Sequence, residues 1–324
     1  MSYVNFEPAK KPSKCAVIGC GTMGTSISHA LARSGLFDAM VLLDDDQRLA
    51  EGQAADLACA LDLHADVDIW AGEYADLDGC SLIVLACGLV PLHETALSDL
   101  PALNLPVVRR AVAGLAEHAG DAVLLVASQP NELMTYTALH YSGLAPSRVV
   151  GLGTLPDTLR LRRLLGRYLT ADPAQVDAMI LGRAGEHATV MWSGARVAGL
   201  ELDVWRKSLG RSTDTLILHS LFDDVRCAAT RCTDAKGHAD LASAQAAALV
   251  AEAILRDRNT LLPLCVLTDD RLGVGNLCMS LPCVLGRGGV IAMPELRPDA
   301  TEQAALERSA AYLRATILDA DPAT

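Results

Sequence analysis

The stretch KCAVIGCGTMGTSISHALARSG, residues 14–35, decides the fold of this chain. A short apolar run precedes Gly19, Gly21 and Gly24, and a segment with helical spacing follows them. In such an order of strand, glycine turn and helix, the first glycine allows a tight turn and the second lets a phosphate group approach the backbone. The third allows close helix–strand packing, and the helix N-terminus faces the phosphate with its positive dipole end.

An acidic residue at the expected distance supports a dinucleotide site. Asp44 ends the next apolar run, 20 residues after Gly24, where this fold needs a carboxylate for the ribose hydroxyls. Asp45 and Asp46 follow it, and three adjacent carboxylates would repel the extra phosphate of NADP. The predicted cofactor is therefore NAD. Its predicted contacts in this segment are Gly19, Gly21, Thr22, Met23, Gly24 and Asp44.

The rest of the first half repeats the alternation of apolar runs and helical patterns. The predicted strands are Lys14 to Ile18, Ala39 to Asp44, Asp68 to Ala71, Ser81 to Cys87 and Ala122 to Ala127. The predicted helices between the first of them are Thr22 to Ser34 and Gln47 to Leu61. Continuous apolar strands separated by helices indicate an α/β fold, with a doubly wound parallel sheet of the Rossmann type.

The pattern changes near residue 150. Long amphipathic segments are mixed there with short strands, which predicts a C-terminal α+β substrate lobe. The predicted helices are Asp157 to Leu169, Asp214 to Arg231, Leu241 to Leu255 and Thr301 to Leu318, and the predicted strands are Leu261 to Leu267 and Asn276 to Val284. The predicted domains are an NAD-binding domain, 1–150, and a substrate domain, 151–324.

Composition narrows the function classes. The 324 residues include 51% hydrophobic and 20% charged, an ordinary soluble balance, and the net charge of −12 disfavours nucleic acid as a partner. No apolar stretch is long enough to span a membrane, and the N-terminus has no apolar signal segment, so a cytoplasmic location is expected. The 10 cysteines are scattered without a C-x-x-C pair, which predicts neither a disulfide framework nor a metal site.

Several motifs together resemble the L-lactate/malate dehydrogenase family over nearly the whole chain. Besides GCGTMG they are SGLFDAMVLLD, GQAADL around Asp56, VLLVASQPNELMTY, RVVGLGTLPDTLRLRRLLG, GRAGEHATVMWSG and SLPCVLGRGGV. The overall texture is closer to bacterial-type lactate dehydrogenases than to malate dehydrogenases. The resemblance implies NAD-dependent hydride transfer on a 2-hydroxy acid and a homodimer or homotetramer.

The resemblance places the family's chemistry on particular residues, with departures that indicate a degenerate active site. In the family a His–Asp pair transfers the proton, one Arg binds the substrate carboxylate, and another Arg on a mobile loop polarises the carbonyl. Ungapped alignment of GTLPDTLR implies that Asp157 is the orienting carboxylate and that Arg160 binds a small carboxylate ligand. Ala184 stands in the position of the His, and Leu97 in that of the polarising Arg.

Other positions of the family pattern have also changed. Gly88, which follows the predicted strand at residues 81–87, and Gln129, which replaces an Asn in the turn beside the nicotinamide, are further predicted cofactor contacts. Pro101 and Pro106 are expected to interrupt the helix after the mobile loop. At the fructose-bisphosphate effector site of bacterial relatives, Asp177 replaces a His and would repel phosphate, so this regulation is not expected.

Three hypotheses follow. The leading one is an NAD-binding family member that has lost, or nearly lost, classical hydride transfer, because Ala184 cannot carry a proton and Leu97 has no charge. The alternative is an active oxidoreductase on an apolar 2-keto acid held by Arg160. Its candidate acid–base replacements are His93, His187 and His238. A third, weaker hypothesis is a structural or interaction protein with an empty cofactor site.

Overall fold

Six parallel strands form the N-terminal half of the main sheet. The computed structural model describes residues 13–61, 67–89, 99–210, 215–273 and 275–320. The six strands are β1 (Lys14–Ile18), β2 (Ala39–Leu43), β3 (Asp68–Ala71), β4 (Leu82–Leu85), β5 (Val123–Val126) and β6 (Val149–Gly151). Their order is β3-β2-β1-β4-β5-β6, so the direction of winding reverses between β1 and β4. Ligands of such sheets bind at this reversal, beyond the carboxyl ends of the strands.

Register aligns the carboxyl ends of the three central strands. Ile18 pairs with Leu43 on one side and with Leu85 on the other. The residues that follow these strands, including Gly19 and Asp44, therefore lie at one edge of the sheet. The strands are almost entirely Val, Leu, Ile, Ala and Cys because both faces of the sheet are buried.

Four helices cover this half of the sheet. They are α1 (Thr22–Ala32), α2 (Gln47–Leu61), α3 (Leu100–Leu115) and α4 (Asn131–Tyr141). The prediction that Pro101 and Pro106 interrupt α3 is wrong, since the helix runs through both. Pro101 lies in the first turn, where its missing N–H has no intrahelical partner to lose. Pro106 removes one hydrogen bond, but Leu105 and Val108 beside it are buried, and this packing keeps the helix intact.

The C-terminal half extends the same sheet with antiparallel strands. Its elements in chain order are α5 (Leu155–Leu169), β7 (Val176–Asp177), β8 (Ile180–Gly182), β9 (Ala188–Val190), β10 (Arg196–Val197), β11 (Leu200–Glu201), α6 (Leu202–Ser208), α7 (Thr215–Arg226), α8 (Ala228–Lys236), α9 (Leu241–Leu255), β12 (Thr260–Leu267), β13 (Cys278–Gly286), β14 (Gly289–Ala292) and α10 (Ala300–Ala320). The sheet continues from β6 through β12, β13, β8 and β9, with β14 on β13. A separate small sheet has the order β11-β10-β7.

One predicted helix is divided in two. The continuous helix expected from Asp214 to Arg231 breaks at Cys227, between α7 and α8. Residue 214 lies outside the described residues. The break falls where the apolar pattern stops: Val225 near the end of α7 is buried in the smaller hydrophobic core with Leu161 and Leu165 of α5, whereas α8 has no buried residue. Because α8 has no apolar stripe to bury, packing does not hold it in line with α7.

A buried carboxylate joins α1 to the start of α9. Asp240 is 4% exposed and accepts hydrogen bonds from Lys236 Nζ at 2.8 Å and from the Ser26 hydroxyl, and its Oδ1 lies 2.7 Å from His238 Nδ1. Burial alone would raise the pKa of Asp240, but the bonds from Lys236, Ser26 and His238 together hold it well below its usual value. A carboxyl with a lowered pKa stabilises the fold most where it is ionised.

Replacing Asp240 should therefore destabilise the protein in a pH-dependent way. We expect Asp240→Asn to lower the free energy of unfolding at pH 7 by about 1 to 2 kcal/mol. Lys236 and His238 lose an anionic partner, but their side chains are 42% and 35% exposed, so solvent screens part of the loss. The loss should shrink as the pH falls below the ordinary value of 3.8 and the wild-type carboxyl is protonated. Urea unfolding at several pH values measures both effects. Asp234→Asn, at an exposed position of α8, is the control, and an equal loss in this variant would contradict the assignment.

Candidate functional site

The glycine turn between β1 and α1 is closely packed at two positions and open at the third. Gly19 has φ +103°, and a Cβ there would lie 2.6 Å from the Cys87 backbone nitrogen. A Cβ on Gly24 would lie 1.7 Å from the Gly19 carbonyl oxygen, so no side chain fits. Gly21, the N-cap residue of α1, has no atom within 4 Å of its Cβ position. The residues present therefore fit a phosphate-containing cofactor, whose pyrophosphate can approach the backbone at Gly21, Thr22 and Met23.

Asp44 lies next to this turn and helps to hold it. Its Oδ2 accepts a hydrogen bond from the Cys20 backbone N–H at 2.7 Å, and its Oδ1 accepts one from the Asp46 N–H at 3.0 Å. The neighbouring Asp45 carboxylate forms an exposed ion pair with Arg110 of α3. The structure thus brings together Asp44 and the glycine turn, as the sequence predicts. The arrangement keeps an acidic edge where a 2′-phosphate would lie.

Buried Asn104 joins the loops that follow β4 and β5. Its side-chain oxygen accepts from the Leu89 N–H at 2.6 Å, and its Nδ2 donates to the carbonyls of Leu89 at 3.1 Å and Gln129 at 2.8 Å. Gly88 packs against the same amide, since a Cβ there would lie 3.0 Å from Asn104 Cγ. Asn104 therefore links Gly88 and Gln129, two predicted cofactor contacts. The sequence pattern did not single out Asn104 for function.

Asp157 and Arg160 form an ion pair on the first turns of α5. Arg160 donates from a terminal guanidinium nitrogen to Asp157 Oδ1 at 2.5 Å, with 15% of the Asp157 side chain and 22% of the Arg160 side chain exposed. The i, i+3 spacing places both on one face of the helix. Burial raises the pKa of Asp157, and the Arg160 charge and hydrogen bond oppose that rise. The Arg160 charge favours the anionic form of Asp157, and 22% of the Arg160 side chain stays exposed.

Ala184 follows β8 and is hydrogen-bonded to a carboxylate from α4. Its backbone N–H donates to Glu132 Oε1 at 2.7 Å, and Glu132 is 3% exposed. Burial raises the pKa of Glu132, and the hydrogen bonds from the N–H groups of Ala184 and of Glu132 itself lower it. The nearby Asp157 raises this pKa further, so the two carboxylates lie close enough to interact. The sequence pattern gave no sign of Glu132, because the segments that it joins are 52 residues apart.

The histidines predicted as acid–base replacements differ in their surroundings. The His187 ring stacks on the Tyr312 ring of α10, with their centroids 4.0 Å apart. The Arg183 guanidinium lies over the Tyr312 ring. Burial lowers the pKa of His187, and the Arg183 charge adds to this effect. His238 is held by Asp240, as described above. His93 lies outside the described residues, as does Leu97.

Within the described part of the chain, no group of three or more His, Cys, Asp or Glu residues is placed to hold a metal ion. No helix among the same residues is long and apolar enough to cross a membrane.

The family models match both halves of the chain. Residues 13–151 match the lactate/malate dehydrogenase NAD binding domain, and residues 154–321 match the lactate/malate dehydrogenase alpha/beta C-terminal domain. The chain belongs to the lactate/malate dehydrogenase family. Its N-terminal part is an NAD-binding domain, which confirms the predicted cofactor.

Full-length relatives of this family support the assignment. The chain is 34% identical to the L-lactate dehydrogenase of Gloeobacter violaceus over 317 residues, which cover 98% of this chain and 96% of the relative. It is 34% identical to that of Salinibacter ruber over 305 residues, 94% of this chain and 96% of the relative.

Solved structures of lactate dehydrogenases have the same fold. The minor L-lactate dehydrogenase of Enterococcus mundtii, in its ligand-bound form, aligns with a TM-score of 0.90 at 29% identity, over 95% of this chain and 98% of that one. A lactate dehydrogenase from a Medee basin deep-sea metagenome library aligns with a TM-score of 0.89 at 32% identity, over 96% and 99%. These matches confirm the predicted Rossmann-type sheet with its C-terminal α/β part.

Arg162 and Asp177, at the positions predicted to correspond to the effector site, form an ion pair. Arg162 Nε donates to the Ala178 carbonyl at 3.0 Å, and a terminal nitrogen lies 3.5 Å from Asp177 Oδ1. Burial lowers the pKa of Arg162, and Asp177 opposes this effect. The Arg162 guanidinium is therefore already engaged with an acid. The expectation that fructose bisphosphate does not regulate this chain stays a prediction.

Proposed function

We propose that this protein is an NAD-dependent oxidoreductase that interconverts a 2-keto acid and the corresponding 2-hydroxy acid. The observation that carries the proposal is the partly buried Asp157–Arg160 pair, at the positions where the family resemblance implies substrate binding. Its support is the full-length similarity to relatives named L-lactate dehydrogenase. These comparisons favour activity over the loss of hydride transfer, which was the leading hypothesis from sequence.

Arg160 recognises the substrate in this proposal. A substrate carboxylate accepts two hydrogen bonds from the guanidinium fork and takes the place of Asp157 as its partner. A nicotinamide cofactor held at this site would supply or accept the hydride at the keto carbon. The dinucleotide is held by Asp44 and by the glycine turn at Gly19, Gly21 and Gly24. Asn104 positions Gly88 and Gln129 beside it. Because Asp157 competes with substrate for Arg160, we expect weak substrate binding compared with NADH binding.

Replacing Arg160 tests this role. We expect Arg160→Gln to lower kcat/KM for the best 2-keto acid by about 10²- to 10³-fold, as expected for roughly 3 to 4 kcal/mol of lost charge-assisted binding. NADH affinity, measured by fluorescence, should stay at the wild-type value because the dinucleotide residues are untouched. The matched control is Arg163→Gln, at an exposed position of the same helix. Equal activity of both variants would refute the assignment of Arg160.

A second candidate function is NAD binding without turnover. It is favoured by Ala184, since a methyl group cannot transfer a proton, and general acid–base help is typically worth about 10²- to 10⁴-fold in rate. An NADH-dependent rise in Tm together with no oxidation of any 2-keto acid would support it. No rise in Tm with NAD or NADH would instead favour the third hypothesis, an empty cofactor site. Homo-oligomeric assembly, the cytoplasmic location and the boundary at residue 150 stay predictions.

A further inference from the structure

Glu132 is a buried carboxyl beside the residue that replaces the family's histidine. It is the second residue of α4, two positions after Pro130, and is 3% exposed. Its Oε1 is 2.7 Å from the Ala184 backbone nitrogen, while Ala184 itself is only partly buried. The carboxyl therefore lies against the backbone of the residue at which the resemblance implies the proton-transferring side chain. A general acid acts through a direct hydrogen bond or through one water molecule.

The surroundings of Glu132 stabilise both of its protonation states. Burial and the Asp157 carboxylate favour the neutral acid. The N–H groups of Ala184 and of Glu132 itself, together with the Arg183 cation, favour the anion. The position in the first turn of an 11-residue helix adds the favourable dipole end to the second group. Burial is the largest of these effects, so the pKa of Glu132 is raised above its ordinary value.

The other described acid–base candidates are occupied elsewhere. Asp157 is paired with Arg160. The His187 ring is stacked on Tyr312, and His238 is held by Asp240. Glu132 thus differs from these groups in combining burial with a hydrogen bond to the backbone of Ala184.

We propose that Glu132 is the proton donor and acceptor of the hydride-transfer reaction, in place of the missing imidazole at Ala184. The proposal rests on the proposed function. In the reducing direction the keto carbon takes a hydride from the reduced nicotinamide, and a C–H bond forms. The carbonyl oxygen takes the proton of Glu132 directly or through one water, and an O–H bond forms as that of Glu132 breaks. Glu132 then regains a proton from solvent, and the cofactor leaves oxidised.

A structural role for Glu132 predicts a different outcome from a catalytic one. As a purely structural residue it would only anchor the backbone at Ala184 to α4. Glutamine at this position keeps an oxygen that accepts the Ala184 N–H but cannot donate an acidic proton. Because a buried acid with a raised pKa loses stability as the pH rises above its ordinary value of 4.5, the amide should also be at least as stable as the wild type at pH 7.

The experiment measures kcat against pH for wild type and Glu132→Gln, with NADH and the 2-keto acid that the wild type reduces fastest. We expect kcat of the variant to fall by about 10²- to 10⁴-fold and to lose the pH dependence of the wild type. NADH affinity and Tm at pH 7 should not fall. Adding Ala184→His to Glu132→Gln should restore turnover, because an imidazole then supplies the proton. A purely structural anchor predicts instead that Ala184→His changes kcat by the same factor in the wild-type and Glu132→Gln backgrounds.

The possible failures are distinguishable. A Glu132→Gln variant with the kcat and pH profile of the wild type would overturn the role of Glu132 and leave the proposed function standing. A fall in kcat accompanied by lower Tm and without rescue by Ala184→His would also overturn it, in favour of the anchor. A wild type that binds NADH but reduces no 2-keto acid would refute the proposed function, and the role of Glu132 with it.

Discussion

Ala184→His, introduced into Glu132→Gln, is expected to raise kcat/KM for the favoured 2-keto acid by about 10²- to 10⁴-fold, the usual range for general acid–base help. In the wild-type background the gain should be smaller, because Glu132 already supplies the proton there. The new imidazole would stand at the partly buried position that borders the cleft, close to two carboxylates. Once a substrate carboxylate occupies Arg160, Asp157 is free to accept a hydrogen bond from this imidazole and to stabilise its charged form. The measurement is steady-state oxidation of NADH at several pH values.

Ala184→Phe is the control for side-chain bulk. It fills the same space as histidine without a titratable group, so it should give no gain. The pH profile of Ala184→His should also acquire the ionisation of an imidazole, near pH 6.5 for an unperturbed group. If Ala184→His gives no gain in Glu132→Gln although the double variant binds NADH equally well, the position does not border the reacting carbonyl. The alignment of this segment with the family's catalytic motif would then be without functional meaning.

Gly24→Ala and Gly21→Ala are expected to fail in different ways. The Gly24 variant would place a methyl group 1.7 Å from the Gly19 carbonyl oxygen, a backbone atom that cannot move without opening the turn. We expect it to lose several kcal/mol of stability, or the folded state altogether. The Gly21 variant meets no atom within 4 Å and has a φ of −68°, which any residue adopts. Its Tm without cofactor should match that of the wild type.

Cofactor affinity separates the two glycines further. In Gly21→Ala the added methyl group points to the space where a pyrophosphate approaches the helix N-terminus, so NADH affinity should fall at least about 10-fold, or roughly 1.4 kcal/mol. Thermal unfolding with and without NADH, together with NADH fluorescence titration, measures both quantities. Wild-type NADH affinity in Gly21→Ala would mean that the dinucleotide does not approach this turn. A fully stable Gly24→Ala would contradict the close packing described here.

Local patterns predicted most of the fold because they depend on neighbouring residues. The bounds of β1, α2 and α9 agree with their predictions, since each has a clear apolar period and a marked end. The misplaced features depend on tertiary packing. Buried apolar contacts on both sides of Pro106 keep α3 continuous. The apolar contacts of α7 stop at Val225, and the helix ends before Cys227.

The candidate site was predictable where it follows short motifs. The glycine turn with Asp44 and the pair Asp157–Arg160 each lie within a few residues of a recognisable pattern. Asn104 and Glu132 were not predicted, because their roles depend on contacts with residues distant in sequence. The Asn104 amide reaches 25 residues to Gln129, and Glu132 reaches 52 residues to Ala184. No local pattern distinguishes such residues from ordinary helix positions.

The most direct test is titration of the purified wild-type protein with NADH by fluorescence, followed in the same sample by a panel of 2-keto acids of increasing apolar size. We predict saturable NADH binding, and NADH oxidation with at least one acid that Arg160→Gln no longer supports. Binding without oxidation of any acid would contradict the oxidoreductase function and leave an NAD-binding protein without the chemistry of its family.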